Sequence, residues 1–211
     1  MPDPAVTDSV VTEARGRPRQ FDADEVLDLV VQLFWDKGYE ATSVADISAT
    51  TGLNKSSLYN AFGSKDALFE RALGRYVATR SAMVGHVLTN GPAGLEDIEQ
   101  FLELMESEMA SDGGSRGCLA VNTSTELGYR DDGARATASH FRTQMRDAFG
   151  AALLRAEARG EIAPGASATY REILVTWMLG MGVLVRGGAD LAEVHGQFEA
   201  ARDLINTWRF G

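Results

Sequence analysis

The stretch Thr42 to Lys65, TSVADISATTGLNKSSLYNAFGSK, concentrates the side chains best suited to recognition. Lys55, Ser56, Ser57, Tyr59 and Asn60 bring an ammonium group, three hydroxyls and a carboxamide to one short segment. These are hydrogen-bonding groups suited to base edges and phosphates. Leu58 and Phe62 stand four residues apart, so in a helix they share a buried stripe and leave the polar set facing outward. A short helix of this kind fits the major groove of B-DNA. Ahead of it, Ser43 can cap another short helix, with Asp46 in the reciprocal capping position. Val44 and Ile47 give that helix an apolar side, Gly52 is placed to end it in the left-handed conformation, and Asn54 can cap the second. The spacing predicts a helix, a tight turn and a recognition helix.

A second candidate lies near the N-terminus, where Arg15-Gly16-Arg17-Pro18-Arg19 has an Arg-Gly-Arg-Pro core similar to that of AT-hook peptides. The proline keeps the chain extended and the glycine removes bulk. Arg15, Arg17 and Arg19 can then enter a narrow A·T-rich minor groove; the alternative is a solvated basic tail. Catalytic chemistry has no comparable frame. No nucleophile–base motif, phosphate loop or metal cluster surrounds Cys118, His140 or the carboxylates, so an enzyme is not expected. His86, His140 and His195 are far apart and match no short ligand spacing, so neither a metal nor another cofactor is expected.

The elements that must position these groups read as helices throughout. Residues 1–20 form a basic arm without periodicity, 21–66 the helix-turn-helix domain, and 67–211 a second, helical domain. Asp22 with Glu25 forms a capping-box start for a first helix, in which Val26, Leu29, Val30, Leu33 and Phe34 keep one face apolar; Gly38 ends it. Ser64 can cap a long fourth helix reaching about Leu88, closed by Asn90-Gly91-Pro92. Leu95, Ile98, Leu102, Met105 and Met109 mark another helix, and Cys118 to Leu127 a further one. Helical patterns then run over about 134–159, 167–186 and 190–209, parted by Gly160 with Pro164-Gly165 and by Gly187-Gly188. No strand alternation or internal repeat stands out, and the expected fold class is all-α.

The 211 residues carry a net charge of −10. Residues 1–75 hold 8 Lys/Arg against 12 Asp/Glu, and residues 76–211 hold 12 against 18, so neither part is basic. Distribution matters more than the sum, because salt screens charges beyond about 8–10 Å. All three lysines, Lys37, Lys55 and Lys65, lie in the helix-turn-helix region, behind the three arginines of the arm. This balance predicts weak non-specific binding to DNA and reliance on a well-registered contact set. One cysteine excludes an intramolecular disulfide, and residues 1–20 lack the apolar core of a signal peptide. The longest apolar run, Ile173 to Val185, is too short for a bilayer, which takes about 20 residues. A cytoplasmic protein with no membrane partner is expected.

The run Phe21 to Phe69 resembles the N-terminal domain of the TetR/AcrR family of bacterial transcriptional regulators. The matching features are Phe34-Trp35, Gly38-Tyr39, Thr42, Ile47, Gly52, Leu58-Tyr59, Phe62, Lys65 and Leu68-Phe69. The resemblance implies base-edge contacts from Lys55, Ser56, Ser57 and Asn60, and phosphate contacts from Thr42, Tyr59 and Lys65. Ser43 is a further candidate for DNA contact; for Thr42 and Ser43 capping is the alternative role, and for Tyr59 helix packing is. It further implies a homodimer, built through a bundle of two C-terminal helices per subunit, on double-stranded operator DNA. Helices 134–159 and 167–186 are the candidates for that bundle, the latter because Trp177, Met178, Met181, Gly180 and Gly182 permit close packing.

The resemblance also implies a cavity for a small-molecule effector of unknown identity. Phe101, Met105, Cys118, Tyr129, His140, Phe141, Tyr170 and Trp177 are candidates to line it, with ordinary core or interface packing as the alternative for each. An uncharged or weakly polar effector is expected, because no lysine and no compact arginine cluster is visible in this part of the sequence. The segment Arg116 to Thr123 resembles a stretch in a subset of the family, some of whose members sense electrophiles or oxidants through a cysteine. Arg116 and a helix N-terminus can stabilise a Cys118 thiolate, whereas a small core residue is the other reading. A thiol sensor and a DNA-binding protein without a ligand therefore stand beside the ligand-released repressor.

Overall fold

The computed structural model describes residues 21–111 and 113–209; Arg15, Arg17 and Arg19 lie outside them. Among the described residues the chain is built from helices, with one isolated antiparallel bridge between Ile162 and Arg209. In chain order they are α1 (Ala23–Lys37), α2 (Val44–Thr51), α3 (Lys55–Phe62), α4 (Lys65–Val84), α5 (Leu95–Met109), α6 (Leu119–Leu127), α7 (Asp132–Ala158), α8 (Ser167–Arg186) and α9 (Leu191–Trp208).

The N-terminal helices start and stop where local chemistry dictates. Asp22 caps α1 through its side chain, which accepts the N–H groups of Asp24 and Glu25. Ser43 and Asp46 form the full reciprocal capping box on α2, and Gly52 ends it at φ +70°. Asn54 caps α3 by accepting the Ser57 N–H at 2.9 Å, and Ser64 caps α4 by accepting that of Ala67 at 3.1 Å. Phe34, Ile47, Leu58 and Phe62 are buried, and Phe34 stacks edge-on against Phe69 of α4. That contact ties the three small helices to the long one.

The fourth helix does not run unbroken to Leu88. After Val84 the backbone widens into a π-turn over Gly85–Thr89. Such a turn leaves carbonyls without helical partners. Arg155 of α7 takes them up, donating to Leu88 O at 2.6 Å, Thr89 O at 3.1 Å and Ala93 O at 2.7 Å. Its Nη2 also meets buried Asp97 at 2.8 Å, so the far end of α4 is fixed to α5 and α7.

Two expectations for the C-terminal helices need correction. Helix α7 packs against α4, α5, α6 and α8, burying Phe141, Met145, Phe149 and Leu153, and so forms the centre of the subunit. An interior helix with its apolar side already used is a poor bundle surface. Met181, expected between subunits, is 2% exposed inside the single chain, together with Leu174, Val175 and Val185 of α8. The face of α8 that remains open is the stripe Ile173, Thr176, Gly180 and Val183, where Val183 is 53% exposed. Helix α8 is also long and apolar enough to cross a membrane, with a mean hydropathy of 1.2, although the run Ile173 to Val185 alone falls short.

Candidate nucleic-acid interface

On α3, Lys55, Ser56, Tyr59 and Asn60 are exposed while Leu58 and Phe62 point inward. The helix thus presents a polar face held by an apolar one. Lys55 Nζ lies 5.7 Å from the centre of the Tyr59 ring, and Ser56 Oγ donates to Asn54 Oδ1 at 2.7 Å. Ser57 is half-buried, its N–H committed to the cap. Lys65 opens α4 with its Nζ 4.1 Å above the Tyr39 ring, beside the helix N-terminus where free N–H groups favour an anion. Burial, and then the Asp66 carboxylate that its hydroxyl donates to, push the Tyr39 phenol above its ordinary range, so it stays protonated.

Two expected contacts are already engaged within the protein. Thr42 is 1% exposed and its hydroxyl donates to Gly38 O at 2.6 Å, so its side chain holds the α1–α2 turn and is not free for a phosphate. Ser43 is exposed, but its hydroxyl donates to Asp46 at 2.6 Å within the capping box. Lys37 is bound to the same carboxylate at 2.6 Å. That ammonium, followed by the Ser43 hydroxyl and N–H, holds the Asp46 carboxyl well below the usual range. Lys37 is therefore paired within the protein, whereas Lys55 is exposed and Lys65 is half-buried over Tyr39, both without a carboxylate partner among the described residues.

This face is clamped from behind by the C-terminal half. The Glu126 carboxylate of α6 accepts the N–H groups of Tyr39 at 3.1 Å and Glu40 at 2.8 Å. Gly38, at φ +82°, leaves room for it: a Cβ there would lie 2.9 Å from Glu126 Oε2. The Trp35 indole N–H donates to Gly117 O at 3.0 Å, and Arg186 of α8 donates to Trp35 O at 3.2 Å.

Beside this clamp lies a cavity of about 160 Å³, and Trp35 of α1 forms part of its wall. From α4 come Tyr76, Arg80, Met83 and Val84. Among the sequence candidates, Phe101, Met105, Cys118 and Phe141 line it. The other four lie elsewhere. Tyr129 is 71% exposed in the loop after α6, and His140 is on the solvent side of α7. Tyr170 stacks on Trp208 at 4.0 Å, and Trp177 packs edge-on against Phe198, both at the α8–α9 contact. For His140, Tyr170 and Trp177 the helix was legible, but not the side it presents. The residues missed are Trp35, Tyr76, Arg80 and Glu108. One signal for them exists: Leu73, Tyr76, Val77, Arg80 and Val84 share a helical stripe, so Arg80 places a charge on an otherwise inward-facing row. Within the cavity wall the Tyr76 hydroxyl donates to Cys118 Sγ at 3.4 Å and accepts the Leu119 N–H at 3.2 Å. Burial, reinforced by the neighbouring thiol, pushes the Tyr76 phenol up, so it remains a neutral donor.

A capped helix, a glycine turn and a second capped helix presenting hydrogen-bonding side chains define a helix-turn-helix DNA-binding protein. Residues 26–72 match the family described as bacterial regulatory proteins, tetR family, and residues 94–190 match the tetracyclin repressor-like C-terminal domain. Over 207 residues the chain is 34% identical to the HTH-type transcriptional repressor ComR of Escherichia coli K12, a match spanning 96% of this chain and 97% of that protein. It is 35% identical over 106 residues to the repressor BdcR of the same organism, covering 50% of this chain and 54% of that one. A cysteine mutant of the TetR-family regulator CifR, solved on a 26-base-pair double-stranded operator DNA, superposes with a TM-score of 0.80. It shares 27% identity and covers 92% of this chain and 100% of that one. The chain belongs to the TetR family, and it is a DNA-binding transcriptional regulator.

Proposed function

We propose that the protein is a cytoplasmic repressor that binds a near-palindromic operator as a homodimer and leaves it when a small molecule fills the cavity. The observation that carries this reading is the cavity's position: Trp35 of α1 and Tyr76 and Arg80 of α4 form its wall, so an occupant touches the helices that carry the DNA face. A ligand acts only through its preference for one conformation, and a preference of about 100-fold corresponds to nearly 3 kcal/mol. Base edges are read by Lys55, Ser56, Ser57 and Asn60, and phosphates by Tyr59 and Lys65, with Arg15, Arg17 and Arg19 adding minor-groove contacts. Two recognition helices about 34–36 Å apart then meet successive major grooves.

The dimer forms through α8 and α9. The open stripe Ile173–Thr176–Gly180–Val183 lies on α8, and the exposed small residues Ala192, Gly196 and Ala200 lie on one face of α9. Small residues let helices approach closely, and the apolar ones supply the area that favours association. A cavity-filling substitution tests the effector reading. Val175→Phe at the buried wall is expected to keep operator binding and to lose release by any effector found in a screen. Unchanged release would place the effector elsewhere, and operator binding that no compound alters would favour a regulator without a ligand.

A thiol reading has one observation in its favour, because Cys118 lines the same cavity with its sulfur bonded by Tyr76. Cys118→Ser separates the two. Release by an electrophile in the wild type but not in the variant would make the cysteine the sensor.

A further inference from the structure

We propose, resting on the reading of the cavity as the effector site, that its occupant is a small amphipathic acid. It has one ring-sized apolar body and a single carboxylate or similar oxyanion, bound by Arg80 where Glu108 now sits. Arg80 is 17% exposed, and its guanidinium lies 5.3 Å from the centres of both the Trp35 and Tyr76 rings. A guanidinium keeps its charge in such surroundings and requires an anionic partner. Glu108 supplies one, through an ion pair to Nη1.

The two halves of that pair are not equally fixed. Arg80 stands within the length of α4, packed on two aromatic rings. Glu108 is next to last in α5 and 36% exposed, so a change of rotamer carries its carboxylate to water. A ligand carboxylate can take its place without leaving Arg80 unpaired, so the exchange is nearly balanced in charge and the apolar body adds the burial. Arg116 brings a second guanidinium to the wall, 4.2 Å over the Trp35 ring and 3.3 Å from Asp36, and Glu108 is the one acid among the described residues that line the cavity. This departs from the uncharged effector expected from sequence, because arginines 36 positions apart in the chain meet at one indole only after folding.

Size narrows the class. The cavity measures about 160 Å³, and an engineered cavity of about 150 Å³ holds benzene. Phe101, Phe141 and Met83, Met105, Met145 and Met178 line the remainder, and thioethers adapt to irregular apolar shapes.

Benzoate and its neutral isostere benzamide are the probes, titrated by calorimetry into the full chain and into its complex with operator DNA. Benzoate is expected to bind at least about tenfold tighter than benzamide, the difference a charge-assisted bidentate contact supplies. Arg80→Gln should reduce benzoate to the level of benzamide while leaving benzamide unchanged. Glu108→Gln should tighten benzoate severalfold, since it removes the competing carboxylate, and this variant keeps the test open if Arg80→Gln fails to fold. Equal or tighter binding of benzamide, weaker benzoate binding by Glu108→Gln, or no binding of benzoate at millimolar concentration would overturn the acid. Release of operator by benzamide would overturn it while leaving the effector cavity standing. Binding of benzoate without any effect on the operator complex would keep the acid and remove the regulatory reading.

Discussion

Lys65→Gln is the most direct probe of how the acidic chain holds DNA. The residue stands at the N-terminus of α4 with its ammonium over Tyr39, free of the carboxylate partner that occupies Lys37. One phosphate contact contributes about 0.9 to the slope of log affinity against log salt on B-DNA, so losing Lys65 from both subunits of a dimer should lower the slope by about 1.8. Between about 50 and 200 mM salt, wild-type affinity should therefore fall about 12-fold further than that of the variant. Fluorescence anisotropy on an operator duplex and on a scrambled duplex of equal length measures both slopes. The loss should be the same on the two, because a phosphate contact carries no sequence information. Asn60→Ala should instead alter the ranking of operator variants. Lys37→Gln is the control, and its slope should change little, since its ammonium is already neutralised by Asp46. An unchanged slope for Lys65→Gln, or an equal drop for Lys37→Gln, would refute the assignment.

Val183→Arg, on the open stripe of α8, should give a folded monomer that has lost operator affinity in sedimentation and binding assays. Met181→Arg, buried two residues earlier, should instead unfold the chain at a cost of several kcal/mol. Deleting residues 1–19 should weaken binding most where the operator flanks are A·T-rich, with the melting temperature unchanged; equal affinity on those flanks would reduce the arm to a tail. Arg155→Met leaves Asp97 buried without its partner, a loss of about 3–5 kcal/mol and a melting temperature lower by roughly 10 °C. Burial is the largest influence on Glu106 and pushes its carboxyl up, but Arg202 and His195 outweigh it and the net shift is downward. Its contribution is thus complete above the unfolded value of about 4.3 and is lost as the pH falls through the lower folded value. Glu106→Gln should flatten the acid limb of the stability curve, measured by chemical denaturation.

What was legible in the sequence was local. Ser43 with Asp46, Gly52, Asn54 and Ser64 each act within three residues of the N–H or turn they serve, so the bounds of α2, α3 and α4's start follow from residue type. Helix α8 begins and ends where its flanking signals place it, yet its inward side was hidden. Met181 and Val183 are both apolar, and only contacts with α6 and α7 decide which is buried. Tyr129 and His140 were misplaced in the same way. Thr42 looked available because the Gly38 carbonyl that takes its hydroxyl is exposed as an acceptor only by the turn itself. The Arg80–Glu108 pair joins separate helices and has no local signature beyond a charge on an apolar row.

The hold of Arg155 on the far end of α4 has a geometric consequence. With that end fixed, any tilt of the helix is largest at its other end, at Lys65, and carries the packed DNA-binding helices with it. Its 20 residues extend about 30 Å, so a tilt of about 5° moves that end by about 2.6 Å. Opposed tilts in two subunits would alter the separation of their recognition helices by about 5 Å, more than the roughly 3.4 Å rise of one base pair. On the proposed reading, a displacement at the cavity wall too small to disturb the core would be geared up in this way into a shift of register on the duplex.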